Sequence, residues 1–212
     1  MDRIVATFPD GRQASVGEEE EERPLSLAIV GRPNVGKSTL VNRLLGYERS
    51  VVDSVPGTTR DAIDTPFIWG DEQFILVDTA GIRRKARIAD RIERYSVIRA
   101  LGSVDRGDLI IHLLDGPEGV TDQDAQILAY ALRRGKGMVL AVNKWDLIPA
   151  AERETERFSE QVKSKLSFVD FAPLVFISAL SGYGIERMME RVRRVSISYQ
   201  RRIRTSSLNR AL

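Results

Sequence analysis

The stretch "AIVGRPNVGKSTLVNRLLG", residues 28–46, decides how this chain is read. An apolar run meets a knot of glycine, proline and asparagine, then a lysine, two hydroxyls and a helical pattern. Gly31, Gly36, Lys37 and Ser38 fit the spacing G-x-x-x-x-G-K-[ST]. A loop of this kind bares backbone N–H groups toward an anion, and the helix that follows adds the positive end of its dipole. Lys37 supplies a point charge for the β and γ phosphates. Ser38 offers a hydroxyl to Mg²⁺, a hard ion that prefers oxygen ligands. Residues Asn34, Val35, Gly36, Lys37, Ser38 and Thr39 are therefore expected to contact the phosphates of a nucleoside triphosphate. The loop does not say which base.

The base is read further on. "LAVNKWDL" puts Asn143, Lys144 and Asp146 at the end of an apolar run. The Watson–Crick edge of guanine shows two neighbouring donors, N1–H and the 2-amino group, and an ionised aspartate accepts both. Adenine would leave that carboxylate unpaired, a mismatch that discriminates strongly. The aliphatic stem of Lys144 suits the face of the base, and Asn143 is placed to tie this loop to the phosphate loop. In "FISAL", Ser178, Ala179 and Leu180 follow another apolar run, and a backbone N–H from Ser178 or Ala179 suits guanine O6.

From Leu25 onward, short apolar runs alternate with amphipathic stretches. Strands are expected near 26–31, 63–69, 73–78, 108–115, 138–142 and 173–178, and helices from about 37, near 90–104, 121–134 and 152–167, and from about 184. This alternation predicts an α/β fold with a six-stranded, mainly parallel sheet and helices on both faces. In "TPFIWGDEQFILVD" only a few residues around Gly70 and Asp71 separate two strands. That is too short for a parallel crossover, so an antiparallel edge strand is expected. His112, the only histidine, lies inside "LIIHLLD" and reads as structural. Trp69 reads as a strand-packing residue and Trp145 as a loop residue near the base.

The 212 residues suit one sizeable domain with tails. A hydrophobic fraction of 42% is enough for a core, and the absence of cysteine excludes disulfides, thiolate metal sites and a cysteine nucleophile. The net charge of +2 is too small to argue for nucleic acid. No apolar run reaches membrane-spanning length, and a cytoplasmic protein without membrane partners is expected. Residues 1–24 read as a tail and an acidic linker, containing Glu18 to Glu22, and residues 25–204 as the nucleotide-binding domain.

The order of "GRPNVGKST" at 31–39, "DTAG" at 78–81, "NKWD" at 143–146 and "SAL" at 178–180 resembles translation-factor-type GTPases with a Ras-like G domain. With "PGTTRD" at 56–61, "DTAGIRRKARI", "IERYSVIRAL" and "DGPEGVTDQD", the chain looks like the second G domain of the Der (EngA) tandem-GTPase family. "MDRIVATFP" resembles the tail of that family's first G domain, and residues 205–212 the start of its C-terminal KH-like domain. The resemblance implies a GTP-hydrolysing switch from an assembly factor of the large ribosomal subunit, with rRNA and the two other domains as partners of the full-length protein. The isolated fragment is expected to be a monomer.

The resemblance also assigns roles. Asp78 would hold Mg²⁺ with Ser38, and Gly81 would give a backbone N–H to the γ-phosphate. Thr59 would be the switch threonine on Mg²⁺ and γ-phosphate, with Thr58 the alternative. The residue after Gly81 is Ile82, which can neither orient nor activate water. Asn34 matches the asparagine of potassium-activated GTPases, in which K⁺ stands between the phosphates; its plainer reading is a turn residue. Arg83, Arg84, Lys85 and Arg87 are either a solvated loop or a state-dependent RNA or domain contact. The C-terminal arginines, from Arg191 to Arg210, pose the same choice. Two rivals stay open on sequence: a P-loop kinase or ATPase, and a non-catalytic guanine-nucleotide-sensing, RNA-binding module.

Overall fold

A computed structural model describes residues 23–46, 64–79 and 93–200. The N-terminal tail, Thr58, Thr59, Gly81, Ile82, the arginines at 83–87 and the segment beyond Gln200 lie outside the described residues. The strands are β1 (Leu25–Gly31), β2 (Thr65–Trp69), β3 (Glu72–Leu76), β4 (Leu109–Asp115), β5 (Gly137–Asn143) and β6 (Leu174–Phe176). The helices are α1 (Lys37–Leu45), α2 (Glu93–Arg106), α3 (Asp122–Arg133), α4 (Thr155–Lys165) and α5 (Ile185–Gln200).

The six strands form one sheet in the order β2-β3-β1-β4-β5-β6. All neighbours are parallel except β2 and β3, whose register runs from Thr65 opposite Leu76 to Trp69 opposite Glu72. The hairpin between them is the short connection expected from Gly70 and Asp71. Gly70 takes a φ of 62°, which the tight turn demands and a glycine supplies without strain. Phe67 and Phe74, directly opposite in register, stack with centroids 5.5 Å apart. Pro66 is tolerated in β2 because an edge strand need not donate to a further neighbour.

Parallel strands covered on both faces read as continuous apolar runs, and β4 is buried at all seven positions. Alternate residues serve different layers. Leu27, Ile29, Ile111, Leu113, Val139 and Ala141 pack with Leu40, Val41 and Leu44 of α1 and Met188, Met189 and Val192 of α5. Ala28, Val30, Ile110, Leu114, Leu140 and Val142 pack on the other face with Val104 of α2, Ile127 and Leu128 of α3 and Val162 of α4. Trp145 belongs to that second core. It is 4% exposed and packs against Phe158 and Phe176 with centroids 5.4 and 4.4 Å away. Trp145 stands in the turn after β5 between Lys144 and Asp146, as expected, and its ring points into the core, where a large apolar group is more stable than in water. Trp69 is half-buried against the first core.

One polar cluster penetrates the second face. Asp124, on the first turn of α3, accepts from both the backbone N–H (3.0 Å) and the hydroxyl (2.8 Å) of Thr121, the acidic arm of a capping box. Its other oxygen meets Nε2 of His112 at 3.1 Å, and both side chains are wholly buried. His112 is structural, as its place inside β4 suggests.

Burial raises the Asp124 carboxyl, but the hydrogen bond and charge of His112 and the two bonds from Thr121 outweigh it, so its pKa is lowered from 3.8. A lowered folded-state value stabilises the fold fully above 3.8 and loses that contribution as the pH falls below it. Urea unfolding from about pH 6 to about pH 2.5 should show stability falling in the acid range. Asp124→Asn, less stable near neutrality, should show a shallower acid fall. An unchanged slope would remove Asp124 from the acid response.

Candidate functional site

Every described residue singled out for nucleotide lies at or just beyond the C-terminal end of β1, β3, β5 or β6. Chain connections leave β1 toward β3 on one side and reach β4 on the other, so this end of the sheet holds the topological switch point at which open α/β sheets bind ligands.

The phosphate loop links β1 to α1. Gly31 has a φ of 142°, and a Cβ there would lie 2.6 Å from the carbonyl oxygen of Leu113. Gly36 has a φ of 99°, and a Cβ there would collide with Nδ2 of Asn143. Glycine is therefore required at both ends, by positive φ at each and by the space a Cβ would need. Gly36 caps α1 without a side-chain hydrogen bond, and the first turn of α1 carries no acidic residue. The helix N-terminus thus presents its amides and dipole without an internal anion, the chemistry a phosphate needs. The ammonium of Lys37 donates to the carbonyls of Gly31 (2.8 Å) and Arg32, holding it over the loop. Ser38 and Thr39, in the first turn, are half-buried.

Asn143 joins three loops. Its Nδ2 donates to the carbonyl of Val35 at 2.7 Å, and its Oδ1 accepts the N–H of Ala179 at 2.9 Å. The side chain is 2% exposed. The tie to the phosphate loop expected from sequence is present, and a second tie, to the 178–180 loop, comes with it. In this loop the N–H of Ala179 is engaged by Asn143, and the N–H of Ser178 by the carbonyl of Tyr183. Arg43 of α1 secures the same loop by donating to the carbonyls of Ala179 (3.2 Å) and Leu180.

Lys144 and Asp146 follow. The ammonium of Lys144 pairs with Asp115 at 2.5 Å, and Asp115 is buried. Asp146 is exposed, and its carboxylate has no bond to a described residue; only its backbone carbonyl is used, by Arg153 at 3.0 Å. An exposed acceptor-only group beside an anchored lysine suits a ligand edge that carries two donors.

Asp78 lies two residues beyond β3, half-buried, and its N–H donates to Asp64 at 3.0 Å. Asp64 is itself paired with Arg106 at 2.6 Å. No bond between described residues joins Asp78 to the phosphate loop. Among the described residues, the only non-glycines with positive φ are Asn34 (61°), Asp78 (57°) and Lys144 (61°). All three stand in these loops. Such strain is held where surrounding contacts over-determine the backbone, commonly at functional sites.

Several participants carry no recognisable spacing in the sequence: Arg43, Asp64, Asp115 and Arg32. Arg32 donates to Asp124 (3.1 Å), Glu118 (2.7 Å) and the carbonyl of Gly119 (3.2 Å). The one available signal was "DGPEGVTDQD", distinctive as a run but without an obvious chemical role. Replacing Asn143 by alanine should orphan the Val35 carbonyl and the Ala179 N–H, at roughly 1–3 kcal/mol each. Urea unfolding should register a loss of about 2–5 kcal/mol, and a loss under 1 kcal/mol would contradict this role.

The comparisons with known proteins agree with this geometry. A family model described as 50S ribosome-binding GTPase matches residues 26–144. The chain is 46% identical over 212 residues to GTPase Der of Caldanaerobacter subterraneus subsp. tengcongensis, covering 100% of this chain and 47% of that protein. It is 49% identical over 209 residues to GTPase Der of Moorella thermoacetica, covering 99% and 47%. The chain thus spans about half the length of the curated relatives it matches. Among solved structures it resembles Era in complex with MgGDPNP and a 16S ribosomal RNA fragment, with a TM-score of 0.58 and 28% identity over 79% of this chain and 55% of that one. With a family model matched across more than half its length and a phosphate loop of the required geometry, the chain belongs to the 50S ribosome-binding GTPase family.

Proposed function

We propose that this GTPase-family domain binds and hydrolyses GTP as the second switch domain of a large-subunit assembly factor, in the cytoplasm. On this reading it works between a first G domain and a KH-like domain, with ribosomal RNA as the larger partner. The observation that carries the guanine reading is the Asn143 tie, which holds the phosphate loop, the Asp146 loop and the 178–180 loop as one unit. Likeness to GTPase Der and to an RNA-bound Era supports the assembly role.

Ser38 and Asp78 are oxygen donors that suit Mg²⁺, with Thr59, or alternatively Thr58, and Gly81 completing the triphosphate contacts. When bound, Mg²⁺ neutralises charge on the β and γ phosphates. The residues of the chain do the rest. Lys37, steered by two loop carbonyls, moves its charge onto the phosphates, and the α1 amides take phosphate oxygens. Ile82 orients no water, so charge stabilisation must come from another source. Asn34 is exposed in a left-handed conformation at the tip of the loop. Its side-chain oxygen suits K⁺ beside the phosphates.

Two measurements test the reading. Asp146→Asn turns one acceptor into a donor and should move preference from guanine toward xanthine nucleotides by on the order of 100-fold or more. Unchanged GDP affinity would reject the assignment. Single-turnover hydrolysis should occur with GTP and not ATP. At matched ionic strength it should run faster in KCl than in NaCl, and Asn34→Ala should abolish that difference. Equal rates in the two salts would reject the role of Asn34. GTP binding without turnover would favour a nucleotide-sensing module instead.

A further inference from the structure

The segment from Asp115 to Asp124 lies between the two halves of the site and touches both. At its start, the Asp115 carboxylate holds the Lys144 ammonium at 2.5 Å, while its other oxygen accepts the N–H of Glu118 at 3.3 Å. The Asp115 carbonyl accepts the N–H of Gly119 at 2.8 Å, so the chain curls back over its own strand end. That curl puts the Glu118 carboxylate, the Gly119 carbonyl and the Asp124 carboxylate around one guanidinium, that of Arg32. Arg32 is the second residue of the phosphate loop, and its own carbonyl receives the Lys37 ammonium. A continuous path in which ion pairs alternate with backbone hydrogen bonds therefore runs from the base-reading lysine to the phosphate-reading lysine.

We infer that Asp115 and Arg32 are positioning residues that couple recognition of the base to the grip on the phosphates, the 115–124 segment being the physical link. This rests on the guanine-nucleotide reading above.

The geometry makes the coupling strong for a stated reason. Asp115 and Asp124 are buried, and Arg32 is only 13% exposed in its side chain. The Arg32–Asp124 pair, 13% and 0% exposed, is little screened, and in each buried pair the loss of one partner leaves the other's charge uncompensated. The remaining groups must then move to find water or a new partner. For Asp115 the group set free is Lys144, which sits in a left-handed conformation that its contacts must hold. For Arg32 it is the fully buried carboxylate of Asp124. Burial alone would lower the Arg32 pKa, but hydrogen bonding to Glu118 and the charges of Asp124, Glu118 and Asp115 raise it. The charge at the base end of the segment is thus felt at the phosphate end. A planar fork serving three acceptors at fixed directions is a task for arginine, and lysine does not reproduce it.

The test compares the whole chain with Asp115→Asn, Arg32→Gln and the double variant, measuring GDP affinity with a fluorescent GDP and competition by inorganic pyrophosphate, which has no base. Each single variant should weaken GDP binding about tenfold, and the double variant by well under the hundredfold product, because both interrupt one path. Asp115→Asn should also weaken pyrophosphate binding, although neither Asp115 nor Lys144 faces the phosphates on this reading. Arg32→Lys should not restore affinity. Glu118→Gln, at an exposed position, interrupts the same path without touching the core and should weaken pyrophosphate in the same direction; it stands in if a buried variant fails to fold. Multiplicative effects on GDP, or pyrophosphate affinity unchanged in both Asp115→Asn and Glu118→Gln while only melting temperature falls, would overturn the coupling. Failure of the unaltered chain to bind GDP would instead overturn the nucleotide reading itself.

Discussion

The carboxamide of Asn143 is the constraint on which the site depends. One buried side chain donates to the phosphate loop and accepts from the 178–180 loop, and it does so from the end of a central strand whose own position is set by β4 and β6. An amide suits this place because it offers a donor and an acceptor in one rigid plane. Gly36 must be glycine partly because that amide occupies the space a Cβ would need. A residue at the end of the phosphate loop and a residue at the start of the base loop are thus mutually specified, although they lie far apart in the chain.

Around this centre the polar groups divide by what water can do for them. The exposed Asp146 carboxylate is solvated and ready to exchange water for donors on a ligand. Asp115 and Asp124 are buried and have their partners inside the protein: Lys144 for the first, His112, Thr121 and Arg32 for the second. Buried charges without such partners would be costly, and these partners come from β4, the residue after β5, the cap of α3 and the phosphate loop. The polar cluster therefore specifies how the second face of the sheet meets the loops above it. The apolar layers on either face contribute bulk stability but have no comparable power to set loop geometry, since hydrophobic contact is non-directional.

The strained residues follow the same division. Asn34, Asp78 and Lys144 each adopt a left-handed backbone, and each leaves a strand end where the chain must turn sharply to keep a side chain or an amide at the mouth of the sheet. Asn and Asp tolerate that conformation because their short polar side chains bond locally. Lys144 has no such local bond, and its pair with Asp115 takes that place. This is why the 115–124 segment matters to a residue it does not adjoin in the chain.

Much of this was legible in the residues themselves. The alternation of apolar runs and amphipathic stretches, the two-residue turn at Gly70 and Asp71, and the G-x-x-x-x-G-K-S spacing are local features, and local periodicity and turn chemistry act before any tertiary contact forms. The tie from Asn143 to the phosphate loop was also readable, because an amide at that strand end carries a donor that can reach a neighbouring loop carbonyl. What the sequence alone left undetermined depends on where distant segments meet. Trp145 read as a loop residue near the base, and only Phe158 and Phe176, distant in the chain, show that its ring belongs to the core. Asn143 takes the N–H of Ala179, and no local pattern announces a hydrogen bond across 36 residues. Arg32 and Asp124 stand 92 residues apart, and Asp115 and Lys144 stand at the ends of adjacent parallel strands, Lys144 one residue beyond β5. Only the closing of the sheet brings those charges within bonding distance, because side-chain electrostatics depends on separation in space and not along the chain.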